Sequence, residues 1–309
     1  MSINSAQLRA FHAVASEGSF TRAADALNVT QPTLSAQVKA LEERYGVRLF
    51  DRRGRRTVLT DLGEALLAVT RRLHSAEEEA EQVLAAARGL RSGTLRVGAD
   101  APYSIVPSLG AFSRQHPGIK LQLSIGNSNR VLTDLLEHRC DVALLADVAY
   151  DPRLHAVPIL EDRLLAFVAR RHPWAQRGSV TLSELVGERV LLREQGSSTR
   201  KLFETALNRR GIALKEMLEI GSREAVREAV AAGLGVGIVA ATELGHDDRI
   251  APIEIADVRL DTVEYLVCLE ERRNLRLVRA FFETVRTAGP GGTGVSGDAR
   301  PGSAGGGRA

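Results

Sequence analysis

The 309-residue chain predicts an all-α N-terminal head that ends in a β-ribbon and continues into one long helix, followed by an α/β region in two lobes. Three observations carry that expectation. Residues 5–45 place apolar side chains at helical spacing between capping residues. Residues 59–87 keep a spacing of three and four with no proline. From residue 94 onward the apolar runs shorten to strand length and alternate with helix-length amphipathic segments. The length suits two domains, and 44% hydrophobic residues supply real cores.

In the head, residues 6–17 read as a helix with Leu8, Phe11 and Val14 inward, closed by Gly18. Ser19 caps a second helix through Leu27, and its Ala23-Ala24 pair leaves a thin face that another helix can approach closely. Asn28-Val29 makes the turn and Thr30 caps a third helix. Pro32 costs nothing in the first turn, because the early amide protons of a helix lack intrahelical partners. Leu34, Val38 and Leu41 then face the core, leaving Gln31, Thr33, Ser35 and Lys39 outward. Amide, hydroxyl and ammonium groups led by an N-terminal turn are what base edges in a major groove require. After Gly46, VRLFDRRGRRTVLT reads as a ribbon anchored by Leu49, Phe50, Val58 and Leu59. Its tip, Arg52-Arg53-Gly54-Arg55-Arg56, is placed to reach phosphates or the minor groove. Residues 1–60 hold nine basic and five acidic side chains against 32 and 33 in the remainder, so the basic excess sits at this end of the chain.

Residues 61–88 predict a single helix. Leu59, Leu62, Leu66, Val69, Leu73, Ala76, Ala80, Val83 and Ala87 form a heptad seam over about four repeats, which implies a coiled coil and hence a dimer. At 1.5 Å per residue such a helix is about 40 Å long. GLRSG, residues 89–93, reads as a hinge. Residues 94–287 then predict buried strands at TLRVGA, KLQLSI and DVALLA with helices at 105–116 and 129–138 between them. LHAVPIL, RLLAFVA, ERVLLRE, EMLEI, GVGIVA and TVEYLVCLEE read as further strands, with helices at 199–210, through REAVREAVAAG and at 275–287. The result is a mostly parallel sheet covered on both faces, in two lobes. Residues 288–309, rich in Gly, Pro and Ser, read as disordered.

Other classes find little support. No signal peptide or membrane-length apolar run is visible, and Cys140 and Cys268 suit buried thiols in a reducing compartment, so the cytoplasm is expected. Seven histidines without ligand spacing predict neither metal nor cofactor. GLGVG at 233–237 follows a helix rather than a strand, which argues against an α/β enzyme. A redox sensor using Cys140 and Cys268 is the alternative that would need those two thiols to meet.

AFHAVASEGSFTRAADALNVTQPTLSAQVKALEERYGVRLFDRRGRRTVLTDLG resembles the N-terminal signature of LysR-type transcriptional regulators, a winged helix-turn-helix with the start of its linker helix. The two-lobed α/β order that follows is similar to the effector domain of that family, which is like periplasmic binding proteins, through to about residue 287. The resemblance implies a dimer, and a tetramer built from two dimers, on double-stranded DNA, with RNA polymerase as a further partner and no membrane. It also implies a small-molecule effector in the cleft between the lobes. Carried over by position, Gln31, Pro32, Thr33 and Ser35 face the groove together with Lys39, while Arg52, Arg53 and Arg55 serve the wing. Ala36 departs from the polar residue often found at its position, which removes a base contact there.

Effector-binding residues are sought beyond the carboxyl ends of strands. Tyr103 and Ser104 follow TLRVGAD, Asn127 and Ser128 follow LQLSI, and Ser197, Ser198 and Thr199 follow VLLREQG. Hydroxyls and free amides at helix starts favour an anion, with Arg193, Arg200 or Arg223 as counter-charge. The alternative is that Ser128 and Ser198 merely cap their helices. RVGADAPYSIVP, IGNSNRV, LREQGSSTRKLFE and IGSREAVREAVAAGLGVG further resemble the LysR-type branch associated with 2-aminoethylphosphonate catabolism. That narrower likeness implies a phosphonate effector whose amine meets Asp147 or Glu194.

Overall fold

The computed structural model describes residues 3–53, 56–86 and 93–288. The chain separates into two compact units, Met1–Leu84 and Ala85–Ala309.

In the first unit every helix of the head begins on a side-chain cap. Asn4 accepts from the Ala6 amide ahead of α1 (Ser5–Glu17), Ser19 from Arg22 ahead of α2 (Phe20–Ala26), and Thr30 from Thr33 ahead of α3 (Gln31–Tyr45). Each cap satisfies an amide that the helix itself leaves unpaired. Gly18 and Gly46 close α1 and α3 in the left-handed conformation. Ala10, Val14, Ala23, Ala24, Leu34 and Val38 form one apolar cluster, and Leu8, Phe11, Leu41, Leu49 and Leu67 another.

β1 (Phe50–Arg53) and β2 (Arg56–Leu59) pair antiparallel, Phe50 opposite Leu59. The Glu42 carboxylate of α3 accepts from the amides of Leu49 (2.7 Å) and Phe50 (3.3 Å), and Phe50 lies 5.4 Å from the Phe11 ring and 5.7 Å from that of Phe20. Val58, expected to help anchor this ribbon, is exposed instead. With Leu59 turned toward the core, strand alternation must send its neighbour outward. Residues 54–55, and the side chains of Arg52, Arg53 and Arg56, lie outside the described residues.

α4 (Asp61–Ala86) starts at once. Thr60 accepts from the Gly63 amide, and a Cβ added at Gly63 would stand 2.2 Å from the Leu49 carbonyl oxygen, so only glycine allows this helix so close to the ribbon. One stripe of α4, Leu67 and Thr70, is buried against the head. The heptad seam lies on another stripe and is bare in a single chain, with Val69 54% and Leu73 44% exposed, Leu62 exposed and Leu66 half-buried. Residues 87–92, most of the expected hinge, lie outside the described residues, as do 289–309; Ala288, placed by sequence in the tail, closes the last helix.

The second unit is built on β3 (Gly93–Ala99), α5 (Pro102–Gln115), β4 (Ile119–Ile125), α6 (Ser128–Leu136), β5 (Val142–Ala146), β6 (Leu154–Ala169), β7 (Ser179–Val180), β8 (Arg189–Arg193), α7 (Ser198–Arg209), β9 (Glu216–Ile220), α8 (Arg223–Ala231), β10 (Val236–Ala240), α9 (Ala241–Leu244), β11 (Ile250–Ile255), β12 (Asp261–Leu269) and α10 (Arg276–Ala288). The strand order is β4-β3-β5-β12-β6-β10-β8-β9, with β11 on β6 and β7 on β11. Parallel pairs lie on each side, β4-β3-β5 and β10-β8-β9, joined by β12 and β6, which run antiparallel to their neighbours.

Sequence predicts LHAVPIL and RLLAFVA as separate strands; they are one strand of 16 residues. Only Glu161-Asp162 separates them, and β6 runs through it, pairing with β12 as far as Arg163 across a bulge at Ile159 and then with β10 and β11. Two strands thus pass between the lobes, and each lobe packs its own apolar clusters on both faces. KLQLSI, expected as a buried strand, and EMLEI, expected as a strand, are the two sheet edges, where Leu123, Ile125, Met217 and Leu218 are exposed.

Candidate functional site

The N-terminal turn of α3 presents Gln31, Pro32 and Thr33 to solvent, with Lys39 exposed two turns on and Ser35 half-buried. Thr33 shares its hydroxyl with the cap, 2.8 Å from that of Thr30. Lys39 lies 3.3 Å from Glu43, an exposed pair worth about 0.3–0.5 kcal/mol and readily exchanged for a phosphate. Gln31, Ser35 and Lys39 follow one another at a spacing of four along one side of α3, while Thr33 lies at its N-terminal tip. Of the wing residues Arg52, Arg53 and Arg55, only the backbone of the first two is described, on β1.

In the second unit a cavity of about 640 Å³ opens between the lobes, lined by Ser128, Asp147, Ser197, Ser198, Lys201 and Arg209 among others. Asn127, not Ser128, caps α6 through the Arg130 amide, and its own amide group reaches across to Glu194 Oε1 (3.2 Å) and the Gln195 carbonyl (3.3 Å). The Ser128 hydroxyl donates to Asp100 Oδ2 at 2.5 Å and accepts from the Ser198 amide of the opposite lobe at 3.3 Å. Ser197 precedes α7 without a capping hydrogen bond. Gly196 lets the lobes meet here: its φ is +93°, its carbonyl accepts from the Asn129 amide at 3.1 Å, and a Cβ would fall 3.0 Å from Asn127 Oδ1.

The structure divides the expected effector residues between two sides of the seam. Ser128, Ser197 and Ser198 line the large cavity, with Asn127 at the lobe contact beside it. Thr199 and Arg193 line a separate void of about 10 Å³ with Arg223 and Glu243. Ser104 is buried and bonds Glu264, and Tyr103 is exposed with Arg227 5.7 Å above its ring. None of the three expected counter-charges is available: Arg193 is held by Glu194, Arg200 by Glu204 and Glu219, and Arg223 by Glu243 at 2.6 Å. Of the two candidate amine partners, Asp147 lines the large cavity but accepts from the Thr262 hydroxyl and the Val263 amide, and Glu194 is taken by Arg193. Lys201 and Arg209 have no ion pair among the described residues and border the large cavity.

Residues 5–64 match the family described as "Bacterial regulatory helix-turn-helix protein, lysR family", and residues 88–290 match "LysR substrate binding domain". The chain belongs to the LysR family of bacterial transcriptional regulators. Among its relatives, the transcriptional activator CmpR of Synechocystis sp. is 34% identical over 89% of this chain and 92% of its own length. A RuBisCO operon transcriptional regulator of Acidithiobacillus ferrooxidans is 34% identical over 93% and 94%. Of solved structures, CbnR in complex with its target DNA superimposes with a TM-score of 0.67 at 26% identity, covering 93% of this chain and all of that one. A full-length OxyR variant of Pseudomonas aeruginosa gives 0.74 at 22% identity, over 93% and 96%, which shows the fold.

This LysR-family protein is thus a DNA-binding, oligomeric transcriptional regulator that answers to a small molecule, and the family is one of regulators rather than enzymes. Among the described residues no cluster is arranged to hold a metal, and no helix is long and apolar enough to cross a membrane. The two thiols of the regulator lie in different apolar clusters, Cys140 against α6 and Cys268 against α10, on opposite faces of the sheet. Burial pushes both up to about 12, which leaves them as inert thiols. Sequence reading missed Lys201 and Arg209; their spacing of eight on α7 puts them on one helix face, the signal that would have found them.

Proposed function

We propose that this regulator binds a small anion in the 640 Å³ cavity between its lobes and reads its operator through the start of α3 with the arginine-tipped wing as a phosphate contact. The observation that carries the effector reading is the pair of cations Lys201 and Arg209, without an ion pair among the described residues, bordering a cavity that also holds the starts of α6 and α7. Cationic side chains beside helix N-termini favour anions. Acidic Asp147 and Asp261 also border the cavity, the latter paired with Arg259 at 3.2 Å, and suit a ligand that also carries an amine, as 2-aminoethylphosphonate does. The relatives named for RuBisCO operons favour a second reading, a phosphorylated or carboxylated metabolite and a carbon-fixation target.

Dimerisation through the bare seam of α4, assembly of two dimers into a tetramer, contact with RNA polymerase and a cytoplasmic location complete the reading. The test is calorimetry on the full-length protein with 2-aminoethylphosphonate, small phosphorylated acids and dicarboxylates, repeated on Lys201→Ala and Arg209→Ala. A charge-assisted hydrogen bond is worth about 1.5–3 kcal/mol, so each loss should weaken binding about tenfold or more. An anion that binds both variants as tightly as the wild type places the effector elsewhere.

A further inference from the structure

The seam between the lobes holds a feature that neither effector binding nor the fold explains. Asp100 (5% exposed), Glu243 (4%) and Glu264 (3%) are all buried there. They come from three places: the end of β3 in the first lobe, α9 in the second, and β12, one of the two strands passing between the lobes. Asp100 Oδ2 accepts from Ser128 and from the Ala146 amide (3.1 Å), but its Oδ1 has no hydrogen-bond partner. Glu264 meets Ser104, while its Oε2 has none. Glu243 Oε2 touches Arg223 Nε at 2.6 Å without an aligned hydrogen bond. Arg223 also donates to the Asp100 carbonyl (2.8 Å), tying the second lobe to the first.

The remaining charged groups facing these carboxyls are Asp162 on β6, which adds repulsion at Glu264, and Arg193 on β8, which offsets Glu243 but is itself spent on Glu194. Arg227 contributes only a bond to the Glu243 carbonyl oxygen. Three ionised carboxylates around one guanidinium would leave uncompensated buried charge, which is strongly unfavourable. A carboxyl in that position neutralises by taking up a proton.

We propose that Asp100, Glu243 and Glu264 form a proton-binding site across the lobe seam, and that its protons hold the lobes together. Burial pushes all three upward, Glu243 to about 7 and Glu264 to about 8. They are the only carboxyls raised in this way among the described residues. The closed seam therefore binds protons that an open, hydrated seam releases at its ordinary carboxylate values. Closure is fully supported below the ordinary carboxylate values, loses that support progressively as pH rises above them, and has lost Glu243's share by about pH 7 and Glu264's by about pH 8. The inference requires only the two lobes, so it stands or falls apart from the identity of any effector.

Infrared spectroscopy of the full-length protein in heavy water tests the protons directly. A protonated-carboxyl band is expected near neutral pH, lost by about pH 9 and diminished in Glu264→Gln. Hydrogen exchange, corrected for intrinsic chemistry, tests the linkage: protection of residues 101–115 and 241–245 should fall between about pH 5 and about pH 8 in the wild type and stay level in the Glu243→Gln, Glu264→Gln double variant. Should the double variant fail to fold, the infrared comparison with Glu264→Gln decides. No protonated carboxyl at neutral pH, or a pH-dependent seam that survives the double substitution, overturns the proposal.

Discussion

Replacing Glu42 should loosen the wing while leaving the recognition helix standing. Its carboxylate is the one group of α3 that accepts from the amides of both Leu49 and Phe50 at the entry to β1. Truncation in Glu42→Ala strands two part-buried donors, and an unsatisfied buried donor costs about 1–3 kcal/mol. The Phe50 contact is the longer, at 3.3 Å against 2.7 Å, so the pair is counted as little more than one good hydrogen bond. A loss of about 2 kcal/mol follows, roughly a thirtyfold rise in the opening equilibrium of the ribbon. Glu42→Gln keeps the accepting oxygen and should recover most of it. Amide exchange at Leu49 and Phe50 measures the opening. DNA binding should weaken on cognate and random DNA alike, because a displaced wing removes phosphate contacts. Wild-type protection in Glu42→Ala, or equal losses in the Ala and Gln variants, would refute the reasoning.

Three further outcomes are expected. Gln31→Ala should cost about 1–3 kcal/mol on the cognate operator and little on random DNA, whereas Arg55→Ala should weaken both and flatten the salt slope by about one unit; filter binding across a salt series separates them. Val69→Glu with Leu73→Glu, both on the bare stripe of α4, should split the dimer by setting like charges against each other, which sedimentation will read; an intact dimer means the seam lies elsewhere. Cys140 and Cys268 should resist alkylation in the folded protein and form no disulfide in mild peroxide, so a peroxide-dependent bridge in the mass spectrum would restore the redox reading.

The head was almost wholly legible because its signals are local: Ser19, Thr30 and the two closing glycines act within one turn of where they stand. The second unit was legible as elements but not as pairings. Glu161 and Asp162 read as a break between two apolar runs, yet β6 continues through them because β12 pairs as far as Arg163 and β10 takes over at Leu164, partners that only the fold supplies. The arginines nominated as counter-charges failed for a related reason. Two of their acidic partners, Glu219 for Arg200 and Glu243 for Arg223, stand 19 and 20 positions away and meet them only through the fold, whereas Glu194 beside Arg193 and Glu204 one turn from Arg200 were already visible in the sequence. Glu264 falls inside the expected strand TVEYLVCLEE, but nothing local shows that β12 lies centrally with both faces covered, so the burial of this charged side chain was not legible.

The two sides of the seam make different demands on a ligand. On the side of the large cavity the lobes touch through exchangeable polar contacts, Asn127 to Gln195, Asn129 to Gly196 and Ser198 to Ser128, each a bond that water or a ligand can replace. On the other side the contact is Arg223 against Asp100 among buried carboxyls, where opening must hydrate charge. A ligand shifts such an equilibrium only by the difference between its affinities for the two states. An anion at Lys201 and Ser198 touches the second lobe; to favour closure it must also reach Ser128 or Asn129 on the first. The effector should therefore be long enough to span both helix starts, and a fragment carrying the anionic group alone should bind without altering the seam.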